Sequence, residues 1–192
     1  MNEKIRCPWC GDDPLYREYH DKEWGTPLYD NQKLFEFLIL EGAQAGLSWI
    51  TVLRKRENYR KAFDNFDPVK IARYSDAKIA KLLQNEGIIR NRLKIESAIK
   101  NAKAYLAMQK NGEDFSEFLW SFVGGKPKQN TLAHISHAVA FTPESDAMSK
   151  ALKQRGFNFV GSTICYALMQ ATGMVNDHIT TCYRYKDCGP GK

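Results

Sequence analysis

Two pairs of residues that commonly bind metal ions lie near opposite ends of the sequence. Cys7 and His20 form the first pair, and His178 and Cys182, four residues apart, form the second. A four-residue step on a helix places both side chains on one face, and two thiolates with two imidazoles are the donor set of a closed tetrahedral zinc site. If the pairs meet, a structural zinc ion joins the two terminal segments. The alternative is a buried free cysteine with scattered histidines, because the spacing is not that of a zinc finger.

A second group of residues has the chemistry to hold a flat, positively charged ligand. It consists of aromatic residues that carry a polar group: Trp9, Tyr16, Tyr19, Trp24 and Trp49. Such side chains can line a slot for a heterocycle. Glu41 follows an apolar run nearby, and a carboxylate buried there needs a partner, which a cationic ligand would supply. The alternative is that the aromatic residues belong to the core and that Glu41 is solvated.

A third feature, the segment 82–90, has the pattern of a helix-hairpin-helix with a four-residue turn that ends the first helix near Gly87. Such a turn aims backbone N–H groups at a phosphate, which positions a duplex without reading its sequence. The residues expected to approach DNA here are Gly87, Ile88, Ile89, Arg90 and Arg92, with Lys94 adding charge. The alternative is an ordinary helical hairpin with a solvated basic face, since Ile89 stands where the usual pattern has a second glycine.

Helices must position these residues, because helical periodicity runs through almost the whole chain. Helices are expected to begin at or just after Asp30, Ser48, Asp67, Ser75 and Pro143, with others from about Leu93 to Gly112 and from Gly161 to Thr172. The segment 123–137, with two glycines and a proline, is expected to be a loop, and no alternating strand of useful length is present. The sequence therefore predicts an all-α globule of about seven to nine helices.

The composition limits the classes of protein that fit. The 192 residues suit one domain, 1–192, with at most two helical lobes, and 43% hydrophobic residues allow a sizeable core. We expect no membrane span and no secretion signal, hence a cytoplasmic protein with reduced thiols, and the odd number of cysteines, five, argues against a disulfide framework. The net charge of +6 suits a polyanionic partner, nucleic acid first.

Long strings of this sequence resemble one family, the bacterial DNA-3-methyladenine glycosylase I proteins. The resemblance runs from about Cys7 to Cys182. The matching strings lie at 13–16, 19–21, 23–25, 40–42, 44–49, 55–59, 87–90, 118–122, 153–157, 159–161 and 176–178. The resemblance implies a helix-hairpin-helix DNA glycosylase fold, in which a structural zinc ion ties the terminal segments together.

The resemblance also implies a role for individual residues. The family's zinc ligands fall on Cys7, His20, His178 and Cys182. The glutamate that hydrogen-bonds the methylated base falls on Glu41, the stacking tryptophan on Trp49, and the pocket tyrosines on Tyr16 and Tyr19, with Trp9 and Trp24 as pocket walls. The loop that approaches the gap in the duplex falls on Gly46 and Leu47. Cys10, close to Cys7, is a potential competitor for the metal.

The implied activity is monofunctional hydrolysis: the enzyme flips 3-methyladenine out of alkylated double-stranded DNA, excises it and leaves an abasic site. No lysine lies in the matched pocket strings to attack C1′, so strand cleavage is not expected. We expect a monomer that releases free 3-methyladenine. Two alternatives stay open from the residues alone, a non-catalytic zinc-stapled DNA-binding module and a zinc-dependent hydrolase. The second lacks an H-E-x-x-H arrangement.

Overall fold

The computed structural model describes residues 4–189, and within them the architecture is helical, as predicted. The expectation of no secretion signal rests partly on residues 1–3, which lie outside the described residues. Ten α-helices follow one another in that range: α1 (Pro14–Lys22), α2 (Asn31–Gln44), α3 (Trp49–Leu53), α4 (Arg56–Ala62), α5 (Pro68–Ile71), α6 (Asp76–Leu83), α7 (Arg92–Lys110), α8 (Phe115–Ser121), α9 (Pro143–Gln154) and α10 (Ser162–Ala171). No helix in the described part of the chain has the length and apolar character needed to cross a membrane.

The helices begin where short polar side chains can accept the first free N–H groups. Asp30 accepts a hydrogen bond from Lys33 N, and Asp67, before Pro68, accepts one from Val69 N. These starts, and those at Ser75 and Pro143, are confirmed. Helix α1 was not predicted, although Asp13 caps it in the same way.

Three local expectations are corrected by the structure. The helix expected to begin at Ser48 is short, because the chain divides into α3 and α4 at residues 54–55. The turn between α6 and α7 is longer than the four residues predicted and occupies residues 84–91. His178 and Cys182 do not lie on a helix, because the chain after α10 runs as a short strand followed by turns.

Two short parallel strands bring the C-terminal segment into the fold. β1 (Lys128–Gln129) pairs with β2 (Val175–Asn176), and an isolated bridge joins Leu132 to Ile179. The segment 123–137 is therefore more ordered than the predicted loop, and it also contains a 3-10 helix at Ile135–His137. This pairing places the residues that follow β2 beside the N-terminal helix.

Helix α2 is the central element of the core. Leu34, Phe35, Leu38 and Leu40 are fully buried along it, and each apolar side chain of this size contributes about 1.5–3 kcal/mol when removed from water. Helices α3, α7, α8 and α10 all contact α2. Because α2 is covered on all sides, Glu41 near its C-terminal end is carried into the interior.

Candidate functional site

A cavity of about 190 Å³ opens where α1, α2, α3 and α10 meet the chain around residues 132–138. The six residues that the sequence assigned to a ligand pocket all line it: Trp9, Tyr16, Tyr19, Trp24, Glu41 and Trp49. All six lie within residues 9–49, where α2 packs on α3 and the Tyr19 ring of α1 contacts the Trp49 ring of α3. The wall on this side of the cavity is almost wholly aromatic.

Glu41 is the one predicted acidic residue in the cavity wall. Its side chain is 2% exposed, and the buried Oε2 atom has no hydrogen-bond partner among the described residues. Burial raises the pKa of the Glu41 carboxyl from its ordinary value near 4.5 to about 8. With no partner for Oε2 among the described residues, the carboxylic acid is favoured at neutral pH, and a cation placed beside it would favour the carboxylate.

The aromatic rings of the wall pack edge to face and leave polar atoms unused. The ring of Trp9 lies 4.9 Å from those of both Tyr16 and Trp24, and the Trp49 ring lies 5.5 Å from that of Tyr19. The indole N–H groups of Trp9 and Trp49 are buried and have no acceptor in the described chain. A buried donor without a partner is costly. A flat ligand with acceptor atoms is the complement of this surface.

The opposite wall was not predicted from the sequence. It is formed by Gln44, Leu132, Ile135, Ala138, Ala167, Gln170 and Asp177. Asp177 is held firmly, since it accepts hydrogen bonds from Tyr166 Oη, Gln170 Nε2 and Asn130 Nδ2 at 2.7–2.8 Å. The signal available for Gln44 and Asp177 was their place in the strings 44–49 and 176–178 that resemble the glycosylase family.

The four predicted metal ligands meet behind the aromatic wall. Cys7, His20, His178 and Cys182 are all buried, and their ligand atoms lie within 4.8 Å of one another. The Sγ–N distances are 3.4 Å for Cys7 with His178 and 3.5 Å for Cys182 with each histidine. A tetrahedral zinc ion with bonds of about 2.3 Å to sulfur and 2.0–2.1 Å to nitrogen gives edges of about 3.5 Å. The residues therefore fit such an ion.

Neighbouring groups orient the two imidazoles in the manner expected of metal ligands. His20 Nδ1 lies 2.8 Å from an Asp21 carboxylate oxygen, and His178 Nε2 lies 3.1 Å from the Trp24 carbonyl oxygen. The outward nitrogens are thus paired, which leaves His20 Nε2 and His178 Nδ1 for a metal. A hydrogen bond from the Cys7 thiol holds the pKa of the Cys182 thiol below its ordinary value.

The remaining cysteines near this cluster do not join it. Cys10 turns its thiol to the carbonyl oxygen of Cys7 at 3.2 Å, and neither Cys10 nor Cys188 belongs to the four-residue group.

Gly25 explains how the cluster fits against the aromatic wall. Its φ is +77°, and a Cβ atom there would lie 2.9 Å from His178 Nε2.

The loop between α2 and α3 lies at the edge of the cavity. Gly46 has a φ of +77°, a conformation that glycine adopts without strain. Leu47 is 41% exposed, between cavity residues Gln44 and Trp49. An apolar side chain is therefore presented to solvent beside the opening.

The hairpin 84–91 is arranged differently from the expectation. The N–H of Gly87 donates to Asn85 Oδ1 at 2.8 Å and that of Ile89 to Tyr59 Oη at 3.1 Å, while Ile88 is buried. These backbone donors are used within the protein. Arg90 and Arg92 are exposed and form surface ion pairs with Glu86 and Glu96, at 3.6 Å and 3.3 Å.

Comparison with known proteins agrees with this geometry. The methyladenine glycosylase family model matches residues 9–185. The chain belongs to this family. It is 57% identical over 177 residues to the DNA-3-methyladenine glycosylase of Haemophilus influenzae (92% of this chain, 96% of the relative). It is 56% identical over 180 residues to DNA-3-methyladenine glycosylase 1 of Escherichia coli (94% and 96%).

Solved structures of methyladenine glycosylases have the same fold. A crystal structure of 3-methyladenine DNA glycosylase I superposes with a TM-score of 0.92 at 58% identity, covering 93% of this chain and 98% of that one. A variant of 3-methyladenine DNA glycosylase I in complex with 3-methyladenine superposes with a TM-score of 0.89 at 38% identity, covering 95% and 97%. Among the site residues described above, Cys7 alone falls outside the range that the methyladenine glycosylase model matches.

Proposed function

We propose that this protein is a DNA glycosylase that excises 3-methyladenine from alkylated double-stranded DNA by hydrolysis, leaving an abasic site. The observation that carries the proposal is the buried carboxyl of Glu41, which has an unpartnered oxygen in an aromatic cavity. The relatives in Haemophilus influenzae and Escherichia coli bear the name of this activity.

The chemistry of the lesion suits the cavity. A purine alkylated at N3 carries a positive charge and leaves as a neutral base, so no strong general acid is required. The protein has to extrude the nucleotide, hold the cation and admit water at C1′. Extrusion costs a few kcal/mol, and stacking on Trp49 returns about 1–3 kcal/mol.

Selectivity for the lesion follows from the same residues. The cation gives Glu41 the partner that the fold does not provide, and a cation facing the Trp49 ring gains about 0.5–2 kcal/mol when desolvated. Unmodified adenine is neutral, so it gains neither the charge pairing with Glu41 nor the cation–π attraction to Trp49. Glu41 is therefore assigned to base recognition, with Trp49, Tyr16 and Tyr19 enclosing the base and Trp9 and Trp24 behind them.

The direct test is chromatography of bases released from a methylated duplex. The wild-type protein should free 3-methyladenine, whereas a module that only binds DNA would free none. Because the released base is neutral, the role of Glu41 is tested on the charged lesion: single-turnover excision of 3-methyladenine from the methylated duplex should be slower in Glu41→Gln, while the thermal unfolding transition stays cooperative. Equal excision rates in the two proteins would refute the assigned role of Glu41.

We further propose that Cys7, His20, His178 and Cys182 bind one zinc ion with a structural role. Four protein ligands leave no open position for a reacting water molecule. The geometry of the four ligand atoms and the hydrogen bonds on the outer imidazole nitrogens support the proposal. The ion would hold the ends of the fold, and with them Trp9 and Trp24, against the cavity.

We also propose which residues contact DNA, that the protein acts as a monomer, and where in the cell it acts. Gly46 and Leu47 would meet the gap left by the flipped nucleotide, and Arg90 and Arg92 would approach the phosphate backbone, with Gly87, Ile88 and Ile89 shaping the hairpin. Residues 1–192 would act as one glycosylase unit and as a monomer. A cytoplasmic location is supported by the five free cysteines, which fit a reducing compartment.

A further inference from the structure

Lys94, in the first turn of α7, points into the protein instead of towards a DNA backbone. Its ammonium donates to the carbonyl oxygens of Ala43 at 2.8 Å and Ala45 at 2.7 Å. Burial lowers the pKa of the Lys94 ammonium. Among the described ion pairs, none involves this lysine, so its partners are backbone dipoles and not a carboxylate.

The two carbonyls belong to the C-terminal end of α2. The last carbonyls of a helix lack intrahelical partners and favour a nearby cation. Beyond them the chain enters the loop that carries Leu47. Within residues 4–189, the Ser48 carbonyl accepts from Thr51 N of α3 and the Gln44 carbonyl from Leu47 N, and the described side-chain hydrogen bonds to the backbone of residues 43–48 come from Lys94. Lys94 is therefore the described side chain that ties this loop to α7.

The contact of Lys94 with the two carbonyls joins the region of the hairpin 84–91 to the region of the cavity. Lys94 follows the hairpin 84–91, whose backbone is tied to Tyr59 by the Ile89 N–H. The carbonyls of Ala43 and Ala45 flank Gln44, which lines the cavity. The contact thus connects the hairpin to the rim of the cavity.

We propose that Lys94 is a positioning residue for base extrusion. It fixes the loop 45–48 relative to the hairpin, so that Leu47 is held at the opening when the neighbouring phosphates are bound. This inference rests on the proposed glycosylase function.

The first test compares Lys94→Met with Lys103→Met, which removes an exposed lysine from the same helix. Both variants lose one positive charge, so a general loss of DNA attraction affects them equally. We expect single-turnover excision of 3-methyladenine from a duplex to fall about 10- to 100-fold in Lys94→Met. Affinity for the free base should be unchanged, and Lys103→Met should match the wild type in both assays. An equal loss of excision in the two variants, or a parallel loss of free-base affinity in Lys94→Met, would overturn the proposal.

The second test does not require activity. Hydrogen exchange at the Ala45 and Leu47 amides should become faster in Lys94→Met and remain unchanged in Lys103→Met. Unchanged exchange at both amides would mean that Lys94 does not hold the loop. If the wild-type protein released no 3-methyladenine, the glycosylase proposal would fail, while the exchange measurement would still decide whether Lys94 positions the loop.

Discussion

At the scale of single residues, Glu41 shows how a folded chain prepares a carboxyl for a charged ligand. The sequence placed it after an apolar run and beside aromatic residues, which was enough to predict a partly buried group. The degree of burial follows from packing, because α2 is covered by helices that come from distant parts of the chain. An ionised carboxylate without a partner is unfavourable in such a site, so burial favours the protonated form of Glu41.

This raised pKa predicts how stability depends on pH. Between the ordinary value near 4.5 and about 8, the folded protein holds a proton on Glu41 that the unfolded chain has lost. Stability should therefore fall as pH rises through this window, by about 1.4 kcal/mol per pH unit at most. Glu41→Gln should remove that part of the dependence and unfold at a higher temperature than the wild type at pH 9. Parallel pH curves for the two proteins would contradict the buried protonated state.

The far wall of the cavity could not be predicted at this scale. Leu132, Ala167 and Asp177 reach the site through pairing of β1 with β2 and through packing of α10 on α2. The sequence around Leu132 and Ala167 carries no pattern that points to a base, and Asp177 was marked only by the matched string 176–178. The aromatic wall was predictable because its residues are close together in the sequence, within residues 9–49.

At the scale of elements, the capping residues in the sequence predicted where helices begin better than any local pattern predicted the path of the segments that connect them. Asp30 and Ser75 mark their helices because a cap involves residues only three positions apart. The four-residue spacing of His178 and Cys182 suited one face of a helix, but it also suits the turns that bring the two ligands together here. The path of the segment 178–182 is set by contacts with residues near Cys7, which no local pattern records.

The hairpin offers a prediction about Tyr59, whose hydroxyl accepts the N–H of Ile89. Tyr59→Phe leaves that donor without its acceptor and should lower the free energy of unfolding by about 1–3 kcal/mol. Tyr29→Phe is a control, because Tyr29 is 53% exposed and its hydroxyl has no described partner. Urea unfolding of both variants measures the difference, and equal stabilities would mean that the hydrogen bond to Ile89 contributes nothing.

Gly25 offers a prediction about the cluster of ligands. Gly25→Ala introduces a Cβ atom 2.9 Å from His178 Nε2 at a φ of +77°, so the imidazole must move from the Trp24 carbonyl. We expect zinc affinity to fall about 10- to 100-fold, as when an outer hydrogen bond of a ligand is lost. Gly112→Ala has a similar φ of +79° with nothing within 4 Å, and it separates backbone strain from the clash. Chelator competition would show unchanged affinity if His178 tolerated the methyl group.

At the scale of the whole molecule, the ligand cluster and the cavity share a wall. The Trp9 ring lies 5.3 Å from that of His20, and the Trp24 ring lies 4.6 Å from that of His178. Loss of the proposed zinc ion should therefore disturb the aromatic side of the cavity and the stability of the fold together.

Cysteine variants test this connection. Cys7→Ala should abolish stoichiometric zinc, lower the melting temperature and weaken binding of free 3-methyladenine. Cys10→Ala should keep about one zinc ion per chain, because Cys10 lies outside the cluster. Metal analysis of both proteins, together with differential scanning calorimetry, measures these effects. Zinc bound at full occupancy in Cys7→Ala would show that Cys10 can replace Cys7.

The cluster also sets the order in which the site can be completed during synthesis. Cys7 and His178 stand 171 residues apart along the chain, so the first half of the cluster leaves the ribosome long before the second. Until the later half emerges, Glu41 and Trp49 are present on a nascent chain whose far wall is missing. A growing polypeptide should therefore be unable to capture damaged bases, and this competence should arrive only once translation has passed the last ligand.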